Sequence, residues 1–375
     1  MNRSISLSGN SDPLVLSQLF ESTKSSKFLF FKAILNLLKD QQPASGSVLL
    51  DIKELEIEMA VLAWYPHTFF KLSFGAQDKI GKILDKLHFT SDERAMGNAN
   101  FVIKLRQAVR DQYSQIKLEE LRRYVPYRLL TPFFENQLRG MKDAQKNKLI
   151  QELSEESYAS EKPALYRMVF RADSQSIEIH PSWVAYLTKS LPIVIGWADK
   201  NWINYLQSCN PNMPGIPNKI RAPLNRFSLK SQTKYWQDII NEKSLHCLYS
   251  GEILNPNRFE LDHFIPWSYV GHNQIWNLIP VSPQANSSKN NHLPSEKIYL
   301  DAFITFQSEG LSIAKKIFNN DEWCKHTESF VSDLKISPGE LLNVKKIRDA
   351  YNELLPPQLL LAKRIGFSSD WEYRK

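Results

Sequence analysis

Asp262 and His263 stand side by side in Phe-Glu-Leu-Asp-His-Phe-Ile-Pro-Trp-Ser, and Asn277 follows fourteen residues after His263. Asn286 comes nine residues later, with Lys289 three beyond it. These residue types have a joint chemistry. A carboxylate and an amide oxygen are hard donors of the kind Mg²⁺ takes. A neutral imidazole, ordinarily titrating at about 6.5, accepts a proton from water near neutral pH. A lysine screens negative charge as it develops. Together they are the parts for one hydrated cation and one activated water beside a phosphodiester. Each alone also has a plain reading, as a surface Asp-His pair, a turn asparagine or a solvated lysine. Order and spacing taken jointly favour the chemistry.

The elements that must position these groups can be read locally. Arg258–Phe264 alternates as a strand that ends at the Phe264-Ile265-Pro266 corner. Neighbours on a strand face opposite sides, so Asp262 and His263 address one phosphate only if the strand ends or twists there. Gly271 and Asn273 supply a turn that lets the chain return as a second strand or loop carrying Asn277. That side chain is expected to brace His263, through backbone or side chain, and so set which ring nitrogen accepts a proton. Asn286 is expected in a short helix, offering its carbonyl oxygen to a metal, and Lys289 shares its helical face within reach of a phosphate. The expected catalytic residues are His263, Asn277 and Lys289; the expected metal ligands are Asp262 and Asn286.

Over about residues 245–295 this pattern resembles the HNH endonucleases of the ββα-metal class. The resemblance implies that His263 is the general base, that the neighbouring acid binds the metal, and that the residue at Asn286 is the further ligand. The cofactor it implies is Mg²⁺, with Mn²⁺ or another divalent cation as substitute. The asparagine form with a lysine three later is similar to the HNH domains of RNA-guided CRISPR effector nucleases, but nothing outside 245–295 supports such an effector. By resemblance, one site cuts one strand per event. Many HNH proteins brace the fold with zinc on two Cys-x-x-Cys pairs. Here Cys247-Leu-Tyr-Ser250 keeps one cysteine and Ser282-Pro-Gln-Ala285 none, so no structural zinc is expected. Packing by Leu248, Tyr249, Ile253, Leu261, Ile265 and Trp267 is expected instead, with His246 beside Cys247 as a non-ligand pair.

The chain has 375 residues, enough for two or three domains. Net charge is +7, which suits a polyanion. Basic residues cluster at Lys104–Arg128, at Lys219–Lys234 and at Lys345–Arg364, either as phosphate contacts or as solvated helix faces. The second cluster adjoins the motif, so Lys219, Arg221, Arg226, Lys230 and Lys234 are expected to bind nucleic acid. His272 and His292 are weighed as phosphate contacts against solvated loop histidines. Three cysteines argue for a reducing compartment and against a disulfide framework. No apolar run reaches about 20 residues, and Met1–Asp12 lacks the marks of a leader. A cytoplasmic protein without membrane contact is expected.

The expected fold class is α+β: a mostly helical chain with a small ββα-metal core near 245–295 and a short β-hairpin near 165–180. Four regions are expected: helical 1–158, mixed 159–244, the core 245–295, and helical 296–375. Helices are predicted over Lys53–Tyr65 behind an Asp51 cap, Gln77–Leu87, Phe101–Gln112 behind an Asn100 cap, Phe133–Ser157, Ser182–Leu206, Leu229–Lys243, Glu296–Phe318 and Ser337–Leu355. The tryptophans at 183, 197 and 202 are expected in the core rather than stacked on bases. The function these observations favour is metal-dependent cleavage of DNA, with RNA as another substrate, and a nickase in a bacterial anti-phage defence system as its setting. The alternatives are an effector subunit switched on by an ATPase or sensor partner, and a nucleic-acid-binding module with a degenerate core.

Overall fold

The computed structural model describes residues 13–21, 25–41, 43, 46–89, 99–222 and 228–374. Arg226 and the Met1–Asp12 segment lie outside the described residues. The described residues are mostly helical, with two small antiparallel sheets among them. Contacts divide it into two compact units, Met1–Pro211 with Lys219–Leu224 and Asn212–Asn218 with Asn225–Lys375. The sequence-based boundary at 158/159 falls inside the first unit. Among the described residues no helix is long and apolar enough to cross a membrane.

The first unit holds α1 (Pro13–Gln18), α2 (Ser25–Gln41), α3 (Ile52–Trp64), α4 (Ile80–Leu84), α5 (Ala99–Asp111), α6 (Val125–Leu129), α7 (Glu135–Leu138), α8 (Asp143–Ser157), α9 (Pro181–Lys189) and α10 (Leu191–Cys209). Its core is built on α2, whose Phe28, Leu29, Phe30, Phe31, Ile34 and Leu35 are all buried. Asp51 caps α3 as expected, accepting from the Lys53 and Glu54 amides. The expected hairpin forms from β2 (Tyr166–Arg171) and β3 (Ser174–Ile179). A strand the sequence reading lacks, β1 (Val48–Asp51), pairs with the other edge of β3. Trp183 and Trp202 lie in the core, and Trp197 stacks on Phe20.

Several helix boundaries need correction. Asn100 lies within α5, which begins one residue earlier, and does not cap it. The single helix expected over Phe133–Ser157 breaks between α7 and α8, where Gly140 takes a φ of +77° that an L side chain resists. Ser182–Leu206 is two helices, because Pro192 opens a new one at its first turn. The helical period at Gln77–Leu87 shrinks to α4.

The second unit holds α11 (Lys230–Glu242), β4 (Glu260–His263), α12 (Trp267–Val270), β5 (Leu278–Val281), α13 (Pro283–Lys289), α14 (Glu296–Ile317), α15 (Asn320–Leu334) and α16 (Val344–Arg364). Strands β4 and β5 pair antiparallel, with Asp262 opposite Ile279 and His263 opposite Leu278. β5 is buried along its whole length. Helix α14 lies against the hairpin: Phe303 stacks on Phe264 at 4.1 Å, and Gln307 Nε2 donates to the Leu278 carbonyl at 2.9 Å. Helices α11 and α14 approach closely at Gly310, where an added Cβ would meet the Trp236 ring at 2.8 Å. Helix α15 lies in the region expected to be helical, between the two helices predicted there. Helix α16 starts later than predicted and continues through Pro356 and Pro357 to Arg364.

Candidate active site

The site starts from β4 and its exit. His263 is the last residue of the strand and half-buried. Its Nε2 lies 3.0 Å from Asn273 Oδ1. An amide oxygen only accepts, so this contact places the ring proton on Nε2 and leaves Nδ1 as the accepting nitrogen. The next two residues are pinned by Asn277. Its Oδ1 accepts from the Ile265 amide and its Nδ2 donates to the Ile265 carbonyl, both at 2.9 Å, while its own carbonyl accepts from the Phe264 amide. Asn277 is 0 % exposed, so it acts on the corner behind His263 and not on a substrate. The expected bracing therefore runs through the backbone, and the contact to the ring itself comes from Asn273.

Asp262 faces the other side of the strand, toward α13, and its surroundings differ from those of an open ligand. Tyr249 donates its hydroxyl to Oδ2 at 2.8 Å and Lys289 donates Nζ to Oδ1 at 3.0 Å. Lys289 also donates to the His263 carbonyl at 2.7 Å. Asp262 is 4 % exposed and Lys289 0 %. Burial pushes the Asp262 carboxyl up, and the Lys289 charge opposes that rise. Burial pushes the Lys289 ammonium down, and Asp262 opposes that fall. The expectation that Lys289 touches a phosphate is thus corrected: its charge is spent inside the protein, tying α13 to the end of β4. Tyr249 is itself packed edge-on by Tyr299 and Trp371, so residues far along the chain seal this pair.

Helix α13 starts at Ser282, whose side chain accepts from the Ala285 amide, with Pro283 in the first turn. This places Asn286 over the start of β4, where its Nδ2 donates to Glu260 Oε2 at 2.7 Å. Glu260 and Asn286 are both half-buried and reach solvent. Glu260 was not singled out from the sequence, although strand alternation puts it on the same face as Asp262.

The four positions where zinc-braced relatives carry cysteine pairs converge here as well. Cys247 Sγ accepts from the Ser282 amide at 3.3 Å and the Ser250 amide at 3.5 Å, and the Ser250 and Ser282 hydroxyls lie 3.3 Å apart. One thiol and two hydroxyls hold the knuckle by hydrogen bonds. His246 Nδ1 lies 3.0 Å from the Gly251 carbonyl. Of the expected packing residues, Tyr249 and Ile265 are buried, whereas Ile253 is 69 % exposed, because it sits in an isolated bridge opposite His246 at the edge.

The expected nucleic-acid contacts separate. Lys219 is corrected: it is 0 % exposed, and burial lowers its ammonium to about 7. Arg221 is exposed and pairs with Asp199. Lys230 and Lys234 are exposed on the first turns of α11, with Lys234 2.6 Å from Asp238. His272 packs near Trp276 and accepts from the Gln274 amide, while His292 is exposed, its Nδ1 2.8 Å from the Lys289 carbonyl. In the first basic cluster, Arg106, Arg110 and Arg122 bind Glu58, Glu54 and Glu56 of α3.

No group of three or more His, Cys, Asp or Glu side chains suited to a metal occurs among the described residues. The donors that do reach solvent, the Glu260 carboxylate and the Asn286 amide, are oxygen donors, and this chemistry fits a hard divalent cation. Residues 247–295 match the HNH endonuclease family, so this segment is an HNH endonuclease domain. The match spans the Cys247 knuckle, the β4–β5 hairpin and α13. No curated protein and no solved structure matches the chain.

Proposed function

We propose that this chain is a metal-dependent endonuclease that hydrolyses phosphodiester bonds in DNA, cutting one strand per event. The observation that carries the reading is the posture of His263. It ends β4 at a half-exposed position, with Nε2 held by Asn273 and the following peptide units clamped by Asn277.

In this arrangement His263 Nδ1 takes the proton from the attacking water, and Asn273 steadies the imidazolium that results. Asn277 keeps the corner from moving as the ring gains charge. Asn286 and a β4 carboxylate would hold the cation, which would supply Lewis-acid polarisation of the phosphate and charge stabilisation of the departing oxygen. Lys289 fixes the His263 carbonyl and so the strand end from which the ring projects. Lys230 and Lys234 add positive charge on α11, of the kind that phosphate binding draws on.

The test is incubation of the full chain with supercoiled plasmid, a matching linear duplex and single-stranded RNA, with Mg²⁺ or Mn²⁺ and with a chelator. Metal-dependent conversion of plasmid to open circle is the expected result. Plasmid left intact at all metal concentrations, or cut equally in chelator, contradicts the proposal.

A further inference from the structure

We infer that Gln232 of α11 is a positioning residue for the nuclease step, holding the turn from which Asn273 orients the His263 ring. The inference rests on the nuclease reading above and extends its machinery to a helix outside residues 247–295.

His263 does not fix its own orientation. Its Nε2 lies 3.0 Å from the Asn273 side-chain oxygen, and Nδ1 remains the accepting nitrogen only while that oxygen stays in place. Asn273 is half-buried in the irregular stretch after Gly271, outside any strand or helix. Such stretches move more than the elements they connect unless something tethers them.

Two side chains from earlier in the sequence reach this turn. Gln232 Nε2 donates to the Asn273 carbonyl at 3.1 Å, across 41 positions of sequence. Asn218 Nδ2 donates to the Gly271 carbonyl at 3.4 Å. The second bond is long and exposed, whereas the first has ordinary length and is half-buried, so Gln232 is the stronger tether. Asn273 thus accepts twice, with its backbone oxygen from α11 and with its side-chain oxygen from the ring.

Helix α11 is a firm support for that bond. Tyr235, Trp236, Ile239 and Ile240 are buried, and Gln232 precedes Tyr235 and Trp236 by three and four residues, on the same helical face. Trp236 packs on Phe306 with ring centroids 5.4 Å apart. The helix also holds the approach to β4, because Gln237 Nε2 donates to the Pro256 carbonyl at 3.1 Å. It therefore grips the chain both before and after the strand that carries His263.

Gln232→Met keeps the side-chain length and removes the donor. The full chains of parent, Gln232→Met, Asn273→Ala and the double variant are compared by single-turnover nicking of supercoiled plasmid with Mn²⁺. Gln232→Met is expected to slow nicking by about three- to tenfold, a fraction of what a general base contributes. Its plasmid affinity in chelator and its urea midpoint should match the parent. In the Asn273→Ala background the same change should alter the rate by less than about twofold, because residues acting through one contact are not additive. A parental rate in Gln232→Met, a urea midpoint that falls along with the rate, or losses that multiply in the double variant overturns the inference.

NMR spectra of isotope-labelled histidine, taken at about pH 8 where the ring is neutral, report the same contact without turnover. The His263 signals are those lost in His263→Ala. The parent is expected to show the Nε2–H tautomer, and Gln232→Met to move both nitrogen shifts toward those of a free imidazole. Identical His263 shifts in parent and variant overturn the inference whether or not the chain cuts. If the shifts respond but the parent leaves plasmid intact, the link from Gln232 to the ring stands and the nuclease reading alone has failed.

Discussion

Lys289 Nζ lies 3.0 Å from Asp262 Oδ1, with both side chains closed off from solvent, directly beneath the strand end that carries His263. A buried pair of this kind contributes little beyond an apolar pair of equal size, yet breaking one half is costly. Lys289→Met leaves an uncompensated carboxylate and is expected to lower unfolding free energy by about 3–5 kcal/mol in urea titration. Adding Asp262→Asn should restore most of the loss. Equal stability of the single variant and the parent would show that the pair is not sealed.

Asn277→Ala is expected to cost about 2–4 kcal/mol, since it strands the buried amide and carbonyl of Ile265. Asn277→Asp keeps the acceptor but loses the donor, so it should fall between the parent and the alanine variant. Nicking should slow in the same order. An alanine variant with parental stability and rate would remove the clamp from the account.

The Asn273 side-chain oxygen meets the His263 ring at Nε2. Asn273→Ala is expected to slow nicking by about tenfold, at the low end of what proton-transfer positioning contributes. Its stability should change by only about 1 kcal/mol, the worth of one half-exposed hydrogen bond. Asn273→Asp keeps an acceptor against Nε2 and should retain more activity than alanine. A loss in stability equal to the loss in rate would mark Asn273 as structural.

The nuclease core was legible because its parts are contiguous. Strand alternation around Asp262, the Gly271–Asn273 turn and a short helix holding Asn286 are all local readings, and β4, β5 and α13 fall where they point. What was not legible depends on distant residues. The burial of Lys289 needs Tyr249, which in turn is covered by Tyr299 and Trp371. A lysine defaults to solvent when read by itself. The Lys104–Arg128 run looked like a phosphate surface because its partners lie elsewhere, on α3 at Glu54, Glu56 and Glu58. β1 was missed for a similar reason: its partner β3 is far along the chain.

Lys219 makes stability depend on pH. Burial holds its folded ammonium at about 7, well below the ordinary lysine value of about 10.4. Between these values the unfolded chain binds more protons than the folded one, so this group makes stability rise with pH from about 7 to about 10. Lys219→Met is expected to flatten that rise and to increase the urea midpoint most at pH 7 and below. An unchanged pH slope in the variant contradicts the burial of this side chain.

The role of His263 is tested most directly by single-turnover nicking of supercoiled plasmid, comparing parent and His263→Ala over Mn²⁺ concentrations that saturate both. Loss of a general base is expected to lower the rate by about 10²–10⁴-fold, with no recovery at any metal concentration and unchanged Mn²⁺ affinity. A variant that nicks at the parental rate, or one rescued by more metal, contradicts His263 as the group that takes the proton.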